Sequence, residues 1–234
     1  MSDVLLCVYR ARNADVVRQL VRSCLRSGGA ARLWALDETV PSLSRWTVGS
    51  GPGTKFSLVN ELLAVSAVAP DAYVVVADDD VRLVSWRLFL RLARRAAFDL
   101  AQPAHRRHLS HLSHPVTLRA RWSVARVTEF VEIGPVFAVS PRWRASVLPF
   151  PEDAGMGWGL EADWYALHRR GARLGIVDAA PMRHLAPVAT SYSQGPERER
   201  LAERLAAAGL GGLHEIQGTL ATWRPWQRTP PWLR

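Results

Sequence analysis

Residues 73–83 read YVVVADDDVRL. Strand-forming residues run straight into three consecutive aspartates, Asp78, Asp79 and Asp80, and the chain then turns apolar again. Adjacent carboxylates repel one another. A chain that places three of them at the end of a buried strand either leaves them in a solvated turn or brings a cation to them. On a continuing strand Asp78 and Asp80 share a face. Hard divalent ions such as Mn2+ or Mg2+ take oxygen ligands of this kind. A divalent ion held there would stabilise charge on a phosphate leaving group.

A second set of reactive side chains follows in GMGWGLEADW, residues 155–164. Glu161 and Asp163 fall in the first turn of a predicted helix, and either carboxylate could take a proton from a hydroxyl. The plainer role is the favourable interaction of acidic groups with a helix N-terminus. Trp158, between Gly157 and Gly159, could stack on a sugar face or simply fill the core. A later strand ends in MRH, so that His184 could offer a neutral imidazole to a metal. His105, His108, His111 and His114 recur every third residue. They could line one side of a short helix and hold metal, but a solvent-facing basic insert is the simpler reading.

The 234-residue chain carries a net charge of +9, from 29 arginines and one lysine, Lys55. That balance calls for an anionic partner: nucleic acid, an anionic membrane surface or a phosphorylated small molecule. The arginine bias most simply reflects GC-rich coding, which makes the surviving lysine the more informative cation. Lys55 follows GSGPG at a predicted helix start, where free N–H groups favour a phosphate. Cys7 and Cys24 give neither a disulfide framework nor zinc spacing. No apolar run approaches the roughly 20 residues of a membrane span. The opening residues lack the pattern of a signal peptide, so a cytoplasmic location is expected.

The elements that must position these groups can be read from periodicity. An apolar strand over 3–11 is followed by a helix with Asn13 as its N-cap and apolar residues at 16, 17, 20, 21, 24 and 25. A strand over 31–38 completes a β-α-β opening. A helix from Thr54, a strand at 73–77, a helix at 85–98 and a strand at 99–104 continue the alternation. Residues 105–129 read as an inserted basic loop leading to a strand, and 130–141 as a strand with Pro135 at a bulge or edge. A helix ending at Gly171, a strand to His184 and a solvated helix between Pro196 and Gly209 follow. The Trp- and Pro-rich tail should be extended and packed on the body. This pattern predicts a single-domain α/β fold, a mainly parallel open sheet flanked by helices. Residues 1–190 would form the catalytic body, with 191–234 a C-terminal helix and tail on the same domain. Ligands of such sheets lie beyond the carboxyl ends of the strands, where the aspartates are.

Taken in order, DDD, WGLE and MRH resemble the nucleotide-sugar-dependent glycosyltransferases of the GT-A fold. WGLE and MRH are similar to the WGGED and MIRH segments of beta-1,4-galactosyltransferases, and WGLE to the WGLD of an uncharacterised glycosyltransferase-like family. The likeness covers roughly residues 3–185. It implies a metal held by Asp78, Asp80 and His184, with Asp79 also at the donor. It implies a donor nucleotide near Arg10, Arg12 and Asp37, and a base after the WG pair. The galactosyltransferase pattern has its base aspartate directly after the glutamate, where this chain has Ala162; Glu161 and Asp163 both remain candidates. The implied partners are a nucleoside-diphosphate sugar, a carbohydrate or other hydroxyl-bearing acceptor, and Mn2+ or Mg2+, with an inverting displacement expected. Peripheral contact with an anionic membrane is a further expectation, and no nucleic acid is. The rival reading, a non-catalytic basic module for nucleic acid or another polyanion, accounts for the charge but leaves the aspartates and GWGLEAD without a purpose.

Overall fold

The computed structural model describes residues 3–187 and 193–233. The strands are β1 (Val4–Tyr9), β2 (Ala30–Ala35), β3 (Thr47–Ser50), β4 (Val74–Ala77), β5 (Val81–Leu83), β6 (Leu100–His105), β7 (Ala125–Thr128), β8 (Val136–Val139), β9 (Leu174–His184) and β10 (Thr219–Trp223). The helices are α1 (Ala14–Arg26), α2 (Lys55–Ala64), α3 (Trp86–Arg95), α4 (Arg144–Val147), α5 (Leu160–Arg169) and α6 (Gly195–Ala208). One sheet runs in the order β10-β7-β9-β6-β8-β4-β1-β2-β3, with β5 paired to β9. Its β3-β2-β1-β4 half is parallel, and β8 joins β4 and β6 antiparallel.

Helices cover both faces, so β1 and β4 are apolar without a break, as strands buried on both sides must be. On one face Val17, Leu20 and Val21 of α1 and Phe89 and Leu90 of α3 bury against the sheet. On the other, Phe56, Val59 and Leu62 of α2 meet Leu160, Trp164 and Leu167 of α5. No helix among the described residues is long and apolar enough to cross a membrane.

Three features depart from the sequence pattern. Asn13 precedes α1 but makes no side-chain cap bond; its side chain hydrogen-bonds Asp79 instead. The strand expected over 130–141 begins only at Val136; residues 130–135 are not strand, and the Gly134-Pro135 bond is cis. The tail does not merely lie on the body: β10 pairs antiparallel with β7 and forms the sheet's edge. Beyond it, Trp232 stacks on Phe98 and donates its indole N–H to the Ala96 carbonyl.

β7 is tied to β9 by a buried ion pair. Asp178 accepts from Arg126 Nε at 2.9 Å and Nη2 at 3.2 Å, and from Ser123 Oγ and the Ala120 N–H. The side chain of Arg126 is 8% exposed and that of Asp178 not at all. Removing one partner strands the other's charge in the interior. Asp178→Ala should therefore lower stability by about 3–5 kcal/mol, read as a fall in the urea midpoint with unchanged m-value. A shift under a quarter of that would mean that the pair is not a fold determinant.

Candidate functional site

β1 and β4 lie side by side, and the sheet grows away from them in opposite directions. Their carboxyl ends form the switch point where open α/β sheets leave a crevice. A cavity of about 650 Å3 opens there, within the usual size range of a small-molecule site. Asp78, Asp79 and Asp80 form part of its wall, with Arg10, Arg12, Lys55 and His184. Trp158, Glu161 and Glu132 line it as well.

Each aspartate has its own partner. Asp78 Oδ1 lies 2.6 Å from Lys55 Nζ, which also donates to the Ile133 carbonyl at 2.9 Å. Asp79 is buried and accepts from the Arg10 backbone N–H at 2.8 Å and from Asn13. Burial raises its pKa against those two hydrogen bonds. Asp79 thus latches the end of β4 to the loop between β1 and α1. Asp80 Oδ1 lies 3.2 Å from His184 Nε2. The β5–β9 pairing produces that contact: it sets Val81 opposite His184, one residue past Asp80. His184 Nδ1 faces the His111 carbonyl at 3.3 Å. Burial disfavours the protonated ring, but the hydrogen bond and charge of Asp80 outweigh it and the pKa of His184 is raised.

Ligand atoms of Asp78, Asp80 and His184 all lie within 4.8 Å of one another, the one such group among the described residues. Two carboxylate oxygens and an imidazole suit Mn2+ or Mg2+. Space above Asp78 is kept by Gly134. A Cβ there would stand 2.8 Å from Asp78 Oδ2 and 3.2 Å from Lys55 Nζ, so a larger residue would have to push these side-chain ends aside.

Glu161 enters the cavity from the first turn of α5. Gly159 caps that helix at φ 93°, a left-handed conformation that residues with a Cβ rarely adopt. Its N–H donates to Glu161 Oε2 at 3.2 Å. The Glu161 side chain is buried, and burial pushes its pKa up to about 7. Nearby Glu132 adds to the rise, and N–H groups of Ile133 and Gly159 oppose it. Asp163 is two residues on, about 200° around the helix. It lies outside the cavity, ion-paired to Arg204 of α6.

Asp37 also lies off the cavity wall. Its exposed carboxylate accepts from the Ala11 and Glu38 N–H groups, which hold its pKa below the usual carboxylate range. It braces the same loop that Asp79 holds from the other side. The histidines do not share one face. His105 is fully buried at the end of β6, His108 is exposed, and His114 lines the cavity against Phe130.

Glu132 was not singled out by sequence, and His105 only as one of the histidine run. His105 Nε2 meets Glu132 Oε2 at 3.2 Å, and its Nδ1 meets Ser110 Oγ at 2.6 Å. The same Ser110 Oγ accepts from the His184 N–H at 2.8 Å, so a polar chain links Glu132 to the metal-type cluster. The available signal was a lone carboxylate in the apolar run FVEIGPVF, since a buried charge requires a partner.

No protein-family profile and no curated protein matches the chain. Solved structures do. GalNAc-T7, determined with UDP, GalNAc and Mn2+, superposes with a TM-score of 0.64 at 7% identity, covering 88% of this chain and 48% of that one. TarS 1–349 of S. aureus superposes at 0.58 and 11% identity, covering 88% and 71%. The chain has the GT-A glycosyltransferase fold. It spans about half the length of GalNAc-T7. At these identities the likeness is one of fold, and the role of each residue in this GT-A chain rests on its own geometry.

The raised pKa of Glu161 has a consequence for stability. Between the ordinary glutamate value and about 7, the folded state keeps a proton that the unfolded chain releases. The stabilisation is full below the ordinary value and is lost as pH rises to about 7. Glu161→Gln removes that loss while keeping an acceptor for the Gly159 N–H. At pH 8 it should be more stable than wild type by up to about 3 kcal/mol, and the gain should vanish near pH 4. Denaturant titrations at the two pH values test this; a pH-independent difference would contradict the buried, proton-binding carboxylate.

Proposed function

We propose that the protein is a metal-dependent glycosyltransferase that moves a sugar from a nucleoside-diphosphate donor to an acceptor hydroxyl, with inversion. The observation that carries this reading is the convergence of Asp78, Asp80 and His184 with a buried Glu161 on one cavity at the sheet's switch point. The GT-A fold supports it, as does the UDP and Mn2+ of the GalNAc-T7 structure.

Asp78, Asp80 and His184 would hold Mn2+ or Mg2+. When bound, the ion would neutralise the charge gathering on the leaving diphosphate. Arg10, Arg12 and Lys55 line the same cavity and would add fixed positive charge for the phosphates. Asp79 and Asp37 position the β1–α1 loop at the nucleoside side. Trp158 offers a ring on which the sugar or acceptor can stack.

Glu161 acts as the base. Its carboxylate takes the proton of the acceptor hydroxyl as the oxygen bonds to the anomeric carbon and the bond from that carbon to the diphosphate breaks. A base whose pKa is near 7 suits proton transfer at neutral pH. Direct attack opposite the leaving group inverts the anomeric centre. Asp163, held by Arg204 outside the cavity, takes no part in the transfer.

Thermal-shift titration with nucleoside diphosphates, with and without Mn2+, tests the donor site. One base should stabilise the wild type in a metal-dependent way. Asp80→Asn should lose the shift while remaining folded, and a shift of wild-type size in this variant would rule out the metal arrangement. For transfer, Glu161→Gln should lower kcat by roughly 10²–10⁴-fold with donor affinity preserved. Asp163→Asn should stay near wild type. The wild-type rate should rise through pH 7 and level off above it, because the base is active when deprotonated. Normal turnover by Glu161→Gln would move the base elsewhere.

A further inference from the structure

The 106–122 insert has two sides. Its inner side closes the catalytic cavity: Ser113 and His114 line that cavity, and the His111 carbonyl receives His184 Nδ1. Its outer side forms a separate cleft of about 500 Å3, lined by Arg106, Arg107, Arg119, Arg121, Leu109 and Trp122. None of these four arginines forms an ion pair among the described residues. All four are exposed. Arg119 donates to the Asp178 carbonyl, and the Arg121 guanidinium lies 5.9 Å from the Trp122 ring centre.

The apolar members are unusual. Trp122 is 65% exposed and Leu109 46%. Trp122 is also held at φ 55°, a backbone region that a bulky residue occupies only when its surroundings impose it. Its carbonyl accepts from Arg224 Nη1, which brings the 224–227 turn, with Trp226 at 70% exposure, alongside.

We infer that this cleft is a docking surface for a bilayer bearing anionic phospholipids, with the arginines meeting lipid phosphates and Trp122 and Leu109 entering the interface. Unpaired cations answer the surface charge of such a bilayer. Tryptophan beside arginine is the residue pairing favoured at the membrane–water boundary. A phosphate in solution would use the arginines but give the exposed Trp and Leu nothing to enter. Because the insert is shared, docking brings the rim of the catalytic cavity to the lipid surface. The inference goes beyond the transferase reading and does not depend on it.

Cosedimentation with vesicles tests it, using phosphatidylcholine alone and phosphatidylcholine mixed with phosphatidylglycerol, without donor or acceptor. Wild type should bind the mixed vesicles and not the neutral ones. Arg106→Gln/Arg107→Gln/Arg121→Gln should lose on the order of a hundredfold in partitioning, roughly fivefold per arginine. The corresponding triple change to Lys should retain most binding, because the surface reads charge. Trp122→Gly suits the local φ and preserves the fold, yet should weaken binding severalfold. The proposal is overturned if wild type ignores mixed vesicles, or if the folded Gln variant binds them as wild type does. It is equally overturned if inorganic phosphate stabilises the protein while vesicles do not bind, which would make this a small-anion site. Tighter binding to duplex DNA, lost in the same Gln variant, would assign the cleft to nucleic acid instead. Since no transfer is measured, failure here leaves the catalytic reading intact.

Discussion

Three consecutive carboxylates can share one strand end only if each is given a different partner, and the architecture around the switch point follows from that constraint. Asp78 faces α2 and its lysine, Asp79 faces the β1–α1 loop, and Asp80 faces the end of β9. β4 ends at Ala77, so the aspartates do not continue the strand as expected: Asp79 and Asp80 lie in a turn, and the turn brings Asp78 and Asp80 to one cluster while Asp79 meets the β1–α1 loop. The buried middle carboxylate is a latch, and the outer two, each with its own partner, come together with His184 in one cluster. Because the partners come from parts of the chain far apart in sequence, the like charges at the centre also register the sheet's two halves.

The opposite end of the cavity is governed by burial rather than pairing. Glu161 has N–H donors but no cation, whereas Asp163 has a cation and stays at the surface. Desolvation raises the pKa of both groups, and at Asp163 the arginine opposes it. The same two-residue carboxylate pair thus yields one proton-binding group inside and one ion pair outside. This is the division expected when helical rotation, about 100° per residue, allows only one of them to face the sheet's crevice. Glu132 sharpens the contrast by adding a second negative group to the interior side.

Much of this was legible in the chain. Continuous apolar runs marked β1 and β4, since a strand covered on both faces needs no polar residue. Apolar spacing marked α1 and α2. The strands that escaped detection carry other signals: β3 reads TVGS within a glycine-rich stretch, β5 has three residues, and β10 sits in a tail whose prolines and tryptophans suggested only packing. Edge and accessory strands are defined by their pairing partners, which local pattern does not encode. The site divides in the same way. DDD, WGLE and MRH were visible because reactive side-chain types fall there at the ends of readable elements. Asp37 and Asp163 were plausible by position along the chain but depend on which way a side chain turns. Glu132 and His105 become a pair only when β6 and the Gly134–Pro135 turn are brought together.

Lys55 shows why the residue type, and not only its charge, matters here. In a chain with 29 arginines, the one lysine occupies a slot between Asp78, the Ile133 carbonyl and the Gly134 turn. Its ammonium is a compact donor that meets a carboxylate and a carbonyl at once. A guanidinium is a wider planar fork and needs a broader acceptor geometry. Gly134, whose missing side chain leaves room for the ammonium, borders the slot. The fit of Lys55 and Gly134 is mutual: a larger residue at either position would press on Asp78. A charge bias imposed on the whole chain would therefore meet steric resistance at this position, where substitution changes the shape of the carboxylate cluster itself.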